Sequence, residues 1–243
     1  MAAARHNLAI ETSTRRGSIT LGCGDDILES VDLPEPKRHR LVLMAAIDEL
    51  FQRHGLAPAD LDQVYVSIGP GSFTGLRIAV TTAKMLAMTL GARLVAVPTV
   101  EVLAENVPPR TVGTHLAVCL NTKADTAYTG CFISDGERWQ PARAPRLSAI
   151  DEMLAVLPRP MLLLGETLAE SIMGDRVERL PAPYAEPHSE NVFSLGRALA
   201  QRGMFTTGYD LLPLYARRPE AEEVWEQNKK RRKVGPTATA GRP

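Results

Sequence analysis

The stretch that most constrains this chain runs from Ile68 to Ile78 and reads IGPGSFTGLRI. The run Val64-Tyr65-Val66-Ser67-Ile68 enters it and has the Val and Tyr content of a buried strand. Gly69, Gly71 and Gly75 then fall within seven residues, with Pro70 between the first two. Glycine takes positive φ and lets the backbone approach another group closely. Leu76, Val80, Ala83, Ala87 and Leu90 follow at helical spacing after Gly75. The segment therefore predicts strand, tight glycine loop, helix. Such a loop has two uses. It can present free N–H groups and the positive end of a helix to an anion. It can also turn the chain sharply and bring the helix close to the sheet. No Gly-Lys-Ser/Thr follows, so it is not a Walker A loop, and the third glycine comes one residue late for G-x-G-x-x-G. Spacing alone leaves both uses open.

The chain has 243 residues, 44% apolar and 23% charged, which suits one large globular domain or two small ones. No apolar run approaches the length of a membrane span, and the apolar stretch near the start is too short for a secretory signal. Cys23, Cys119 and Cys131 form no C-x-x-C pair and read as buried reduced thiols of a cytoplasmic protein. Zero net charge hides an asymmetry. Residues 229–243 carry Lys229, Lys230, Arg231, Arg232, Lys233 and Arg242 and no acid, leaving 22 basic against 28 acidic residues elsewhere, a body charge of −6. An acidic body argues against a broad nucleic-acid surface, whereas the basic tail suits either solvent or an acidic or RNA partner.

From the start, the spacing predicts an antiparallel meander over Asn7–Glu11, Ser18–Gly22 and Ile27–Leu33. Its first turn, Thr12-Ser13-Thr14, is rich in hydroxyls that can cradle phosphate or bond their own turn. A helix over His39–His54 ends at Gly55, with Leu56 folding back on it. Its Leu41–Ile47 stretch is apolar nearly all round, and the helix after the glycine loop shows Ile78, Met85 and Met88 beyond its core stripe. Helices apolar on every side must be covered, by the domain or by another subunit, and methionine adapts well to a subunit contact. Further expectations are a strand at Arg93–Val97, a short helix from Thr99 to Asn106, strands at His115–Leu120 and Thr126–Ile133, a helix at Ser148–Leu157, strands at Met161–Leu164 and Val177–Leu180, a helix opening at Gly165-Glu166-Thr167, and a helix at Glu190–Gly203. Both halves begin with strands and then alternate, which predicts two similar α/β lobes.

Catalytic patterns are sparse. None of the five histidines sits three or four residues from another, and no G-x-S-x-G elbow occurs. Glu11 is the one acid at a strand end beside a hydroxyl-rich turn, with a catalytic and a structural reading both open.

Ile10-Glu11-Thr12-Ser13-Thr14, His39 opening a helix, the string from Gly69 to Ile78, Val97-Pro98-Thr99 and Pro213-Leu214-Tyr215-Ala216-Arg217 together resemble the TsaB (YeaZ) family, across roughly residues 7 to 225. The resemblance implies a two-lobed α/β fold of the actin-like, sugar-kinase-like ATPase type, with mixed sheets and flanking helices as in ribonuclease H-like lobes. It places the first lobe at 1–106 plus 189–220, the second at 107–188, and a tail at 221–243. It implies a non-catalytic, activating subunit for threonylcarbamoyladenosine (t6A) formation at position 37 of tRNAs reading ANN codons. The expected partners are TsaD, a paralogue that performs the transfer and holds a metal through H-x-x-x-H, then TsaE and TsaC, and a second copy of the chain, with tRNA met through the complex. This chain has no H-x-x-x-H. The implied interface comprises Leu41, Met44, Ile47, Phe51, Arg77, Ile78, Thr81, Met85 and Met88. The candidate phosphate- or nucleotide-adjacent loop comprises Glu11, Thr12, Ser13, Thr14, Gly69, Gly71, Ser72, Thr74 and Gly75. No catalytic residue, metal or own cofactor is expected, with ATP or ADP placed at the complex interface. One departure stands out: where the family usually reads D-A-R-x-x-E-V-Y, this chain has Asn121-Thr122-Lys123-Ala124-Asp125-Thr126-Ala127-Tyr128. Alternatives are a nucleotide-using enzyme of the same fold and a glycoprotease-type peptidase.

Overall fold

A computed structural model describes residues 6–34, 39–123, 126–165, 176–216 and 225. The first sheet contains β1 (His6–Glu11), β2 (Gly17–Cys23), β3 (Asp26–Leu33), β4 (Leu61–Gly69) and β5 (Arg93–Pro98). The second contains β6 (His115–Lys123), β7 (Thr126–Ser134), β8 (Trp139–Ala149), β9 (Met161–Gly165) and β10 (Val177–Arg179). Their orders are β3-β2-β1-β4-β5 and β8-β7-β6-β9-β10. In each, an antiparallel meander of three strands is extended by two parallel strands. One topology thus occurs twice, once in each of two lobes of mixed sheet and flanking helices.

Period-two alternation sorts the first sheet into two cores. Leu8, Ile10, Val64, Val66 and Leu94 point to one face, where α1 (His39–Arg53) and α2 (Phe73–Leu90) pack side by side. Ala9, Tyr65, Val95 and Val97 point to the other and meet Val192 and Phe193 of α5 (Ser189–Gln201). Helix α5 comes close enough that a Cβ at Gly196 would enter the Tyr65 ring, and Tyr65 and Phe193 stack with centroids 5.8 Å apart. The short α3 (Thr99–Ala104) joins the lobes: Val102 belongs to the α5-side core, while Val100, Leu103 and Ala104 pack with Leu116, Val118 and Phe132 of the second sheet. The opposite face of that sheet is covered by Met153 and Leu157, from and just beyond α4 (Ile150–Val156). Each such fully buried aliphatic side chain contributes about 1.5–3 kcal/mol.

Several expectations hold in detail. Helix α1 ends with Gly55 at φ 64, and Leu56 N–H donates to the Phe51 carbonyl at 3.0 Å while its side chain joins the core. Others need correction. Helix α2 begins at Phe73, so Gly75 lies in its first turn and not ahead of it. Strand β8, eleven residues long, was not foreseen. It is an edge strand, exposed along most of its length apart from the buried Trp139, carrying Pro141 and Pro145. Neither the β propensity nor the alternation that marks half-buried strands survives there. The helix expected from Gly165-Glu166-Thr167 and the 221–243 tail, apart from Trp225, lie outside the described residues. No helix among the described residues is long and apolar enough to cross a membrane.

Candidate functional site

Parallel pairing of β1 with β4 brings the ends of both strands together at the start of α2. The Thr12–Ser13 turn and the glycine loop meet there, and their contact fills the loop. Ser72 N–H donates to the Ser13 carbonyl at 2.6 Å, and the Thr12 hydroxyl donates to the Gly75 carbonyl at 2.8 Å. A Cβ at Gly71 would fall on the Ser13 carbonyl oxygen, and one at Gly75 on that of Thr12. The Ser72 hydroxyl caps α2 by accepting from Gly75 N–H at 3.3 Å, and Leu76 N–H donates to the Ser72 carbonyl. The Ser72 and Gly75 N–H groups, two of the donors that could have held an anion, are therefore spent within the protein. Close approach of one backbone to another explains the glycines here.

From the other side comes the closing segment. Leu214 N–H donates to the Ile68 carbonyl at 2.7 Å, and a Cβ at Gly69 (φ 113) would lie 2.5 Å from the Leu214 carbonyl oxygen. One residue on, Tyr215 stacks on Phe73 with centroids 4.8 Å apart. The Arg77 guanidinium lies 3.8 Å above the Phe73 ring and its Nε–H donates to the Tyr215 hydroxyl at 3.0 Å. The Phe73/Arg77 pairing follows from i,i+4 helical spacing. Tyr215 is the partner that sequence reasoning missed; its only signal was its place in the Pro213-Leu214-Tyr215 string.

Behind the loop, Glu11 is fully buried. Its Oε1 accepts from Ser13 N–H at 2.5 Å, while its Oε2 and the Ser13 hydroxyl have no hydrogen-bond partner among the described residues. Burial pushes the Glu11 carboxyl above its ordinary range, against the smaller opposing effect of the Ser13 N–H that it accepts from. Thr14 bonds within its own turn, to the Arg16 carbonyl at 3.0 Å, and Thr74 is exposed. Cys119 is pushed up to about 12 by burial, which keeps it a neutral, unreactive thiol, and Cys23 and Cys131 are also unpaired. No three His, Cys, Asp or Glu side chains converge as metal ligands among the described residues.

The outer face of α1 and α2 is a second region of interest. Met44, Met85 and Met88 are exposed, Met88 by 78%. Along α2, Arg77, Thr81, Met85 and Met88 follow helical spacing on one exposed stripe, with Ile78 half-buried beside it. Ile47 and Phe51, expected on this face, instead lie in the core with Leu43 and Leu50. They continue the inward stripe of α1, which packing against the first sheet selects. Leu41 belongs to α1, but its side chain lies outside the described residues.

A family model described as TsaD, tRNA N6-adenosine threonylcarbamoyltransferase, matches residues 33–218. The tRNA threonylcarbamoyladenosine biosynthesis protein TsaB of Bacillus subtilis (strain 168) is 30% identical over 236 residues, covering 92% of this chain and 99% of its own. A crystal structure of an uncharacterized Pseudomonas aeruginosa protein with similarity to peptidase YEAZ superposes with a TM-score of 0.74 at 25% identity, covering 88% of this chain and 100% of the other. YeaZ from Pseudomonas aeruginosa superposes with a TM-score of 0.73 at 25% identity, covering 87% and 99%.

Proposed function

The chain belongs to the TsaB (YeaZ) family of tRNA threonylcarbamoyladenosine biosynthesis proteins, and from that premise we propose that it is a non-catalytic, activating subunit that binds a TsaD-type threonylcarbamoyltransferase. The observation that carries this reading is the exposed methionine stripe. Met44, Met85 and Met88 leave large apolar surface in water beside a completed core. Arg77, Ile78 and Thr81 extend the same face. Flexible thioether side chains suit a surface that repacks against a partner. The filled glycine loop supports the same reading, since the Ser72 and Gly75 N–H groups already have partners inside the chain.

In this account threonylcarbamoyl transfer to adenosine 37 of ANN-reading tRNAs takes place on the partner in the cytoplasm. TsaC supplies the activated intermediate and TsaE joins the pair. ATP or ADP belongs at the complex interface, and tRNA reaches this chain through the complex. The α1–α2 face also serves a homodimer when the partner is missing. A nucleotide-using enzyme of the same fold is the second reading, favoured by the unpartnered Glu11 Oε2 and Ser13 hydroxyl. Light scattering on size-exclusion fractions of this chain mixed with the TsaD-type protein of the same organism tests the proposal. A stable heterodimer is expected. Two separate peaks, unchanged by nucleotide and TsaE, would overturn it and move attention to ATP turnover by the isolated chain.

A further inference from the structure

The second lobe has a cleft at its far end, where β6, β9 and β10 begin. It measures about 430 Å³ and is lined by Arg110, Thr111, Thr114, Arg176 and Glu178 around Pro160, Met161, Leu162 and Val177. That volume lies within the ordinary range of small-ligand sites. The walls are fixed. Gly113 N–H donates to the Ser134 carbonyl at 2.9 Å, and the Ser134 hydroxyl donates to the Arg110 carbonyl at 2.7 Å, which ties the 110–114 loop to the end of β7. Arg176 holds the positive φ of 77, rare for a residue with a side chain, and its carbonyl accepts from Met161 N–H at 3.1 Å.

The chemistry of this wall is cationic. Arg110 pairs with Glu178 at 3.2 Å, both half-exposed, so the contact orients Arg110 while leaving donors free. Arg176 is exposed, and its side chain has no ion pair or hydrogen bond among the described residues. The Thr111 and Thr114 hydroxyls likewise have no partner there. Two guanidiniums and two hydroxyls beside an apolar floor match an oxyanion attached to a flat apolar group.

We propose that this cleft binds a phosphate-bearing ligand of mononucleotide size. The phosphate takes Arg176, the free donors of Arg110 and the threonine hydroxyls, and the base lies over Pro160 and Val177. A free nucleotide and an exposed nucleotide of an RNA strand offer the same groups. The site is independent of the α1–α2 face, so it stands whether or not that face binds a partner.

Titration calorimetry of the full chain with AMP, adenosine and inorganic phosphate, alongside filter binding of tRNA in the same low-salt buffer, tests it. AMP binding is expected to weaken about ten-fold or more in Arg176→Gln and to tighten in Glu178→Gln, which releases Arg110. Adenosine should respond to neither substitution. The same opposed pattern for tRNA alone would keep the site and assign its phosphate to RNA. No binding by either ligand, or equal affinity in all three proteins, would overturn the proposal. A folding defect can weaken binding but cannot strengthen it, so the Glu178→Gln arm remains decisive.

Discussion

The two lobes share a strand order and differ in what they place around it. The first sheet is covered by helices of 15 and 18 residues, and their outer face keeps Met44, Met85 and Met88 in water. The second has on one face the seven-residue α4, which packs inward through Met153, and on the other α3 from the first lobe. The ends of their first parallel strands differ too. After β4 the chain threads between the Thr12–Ser13 turn and Leu214. At the end of β9, a Cβ on Gly165 would lie 2.6 Å from the Cys119 carbonyl oxygen of the neighbouring strand. The topology sets where loops fall, while local contacts decide whether a loop becomes a ligand site or a piece of packing.

The sharpest way to break this comparison is Gly75→Ala. The added methyl group meets the Thr12 carbonyl, which is backbone and cannot swing aside. A loss of about 3 kcal/mol in urea unfolding is expected, near the upper end for single substitutions. Next comes Met85→Glu, on the exposed stripe. Stability should stay within about 0.5 kcal/mol, while affinity for the TsaD-type partner falls by about 2 kcal/mol, because the new charge is desolvated without a counterion. Unchanged affinity in a titration of the two proteins would remove that face from the interface. A smaller effect is expected for Tyr215→Phe, which keeps the ring on Phe73 but loses the hydroxyl bonded to Arg77. The cost should be about 0.5–1 kcal/mol, read from the thermal midpoint.

The last test concerns sign. Burial holds the Glu11 carboxyl above 4.5, so between that value and its folded value the native state binds more protons than the unfolded chain. Wild-type stability therefore carries a penalty that grows as pH rises through this window. Glu11→Gln lacks it, and the variant should gain on the wild type as pH increases from 4.5, then run parallel to it. A pH-independent difference in urea midpoints would mean that the buried carboxyl carries no such penalty.

Much of the fold was legible because strong patterns carried it. The meander, the helix ended by Gly55 and Leu56 and the strand before Gly69 each have apolar periodicity bounded by turn residues. Strand β8 had neither, and pairing with β7 alone makes it a strand. The glycine loop shows a different limit. Phosphate binding and close backbone contact both require glycine, so the local string cannot separate them. What decides is Thr12 and Ser13, some sixty residues earlier, together with Leu214 near the other end. The apolar excess of α1 was visible, yet the direction of Ile47 and Phe51 was set by the sheet beneath them.

The closing contact also orders events during synthesis. Helix α5 completes one face of the first sheet, Leu211 joins the core on its other face, and Leu214 locks the glycine loop. All three leave the ribosome after the whole of the second sheet, whose strands span His115 to Arg179 without interruption by first-lobe segments. The lobe begun first is thus the lobe finished last. Until residues 189–214 emerge, β1 and β4 wait with an open flank, and the nascent chain has most need of chaperone cover in that interval.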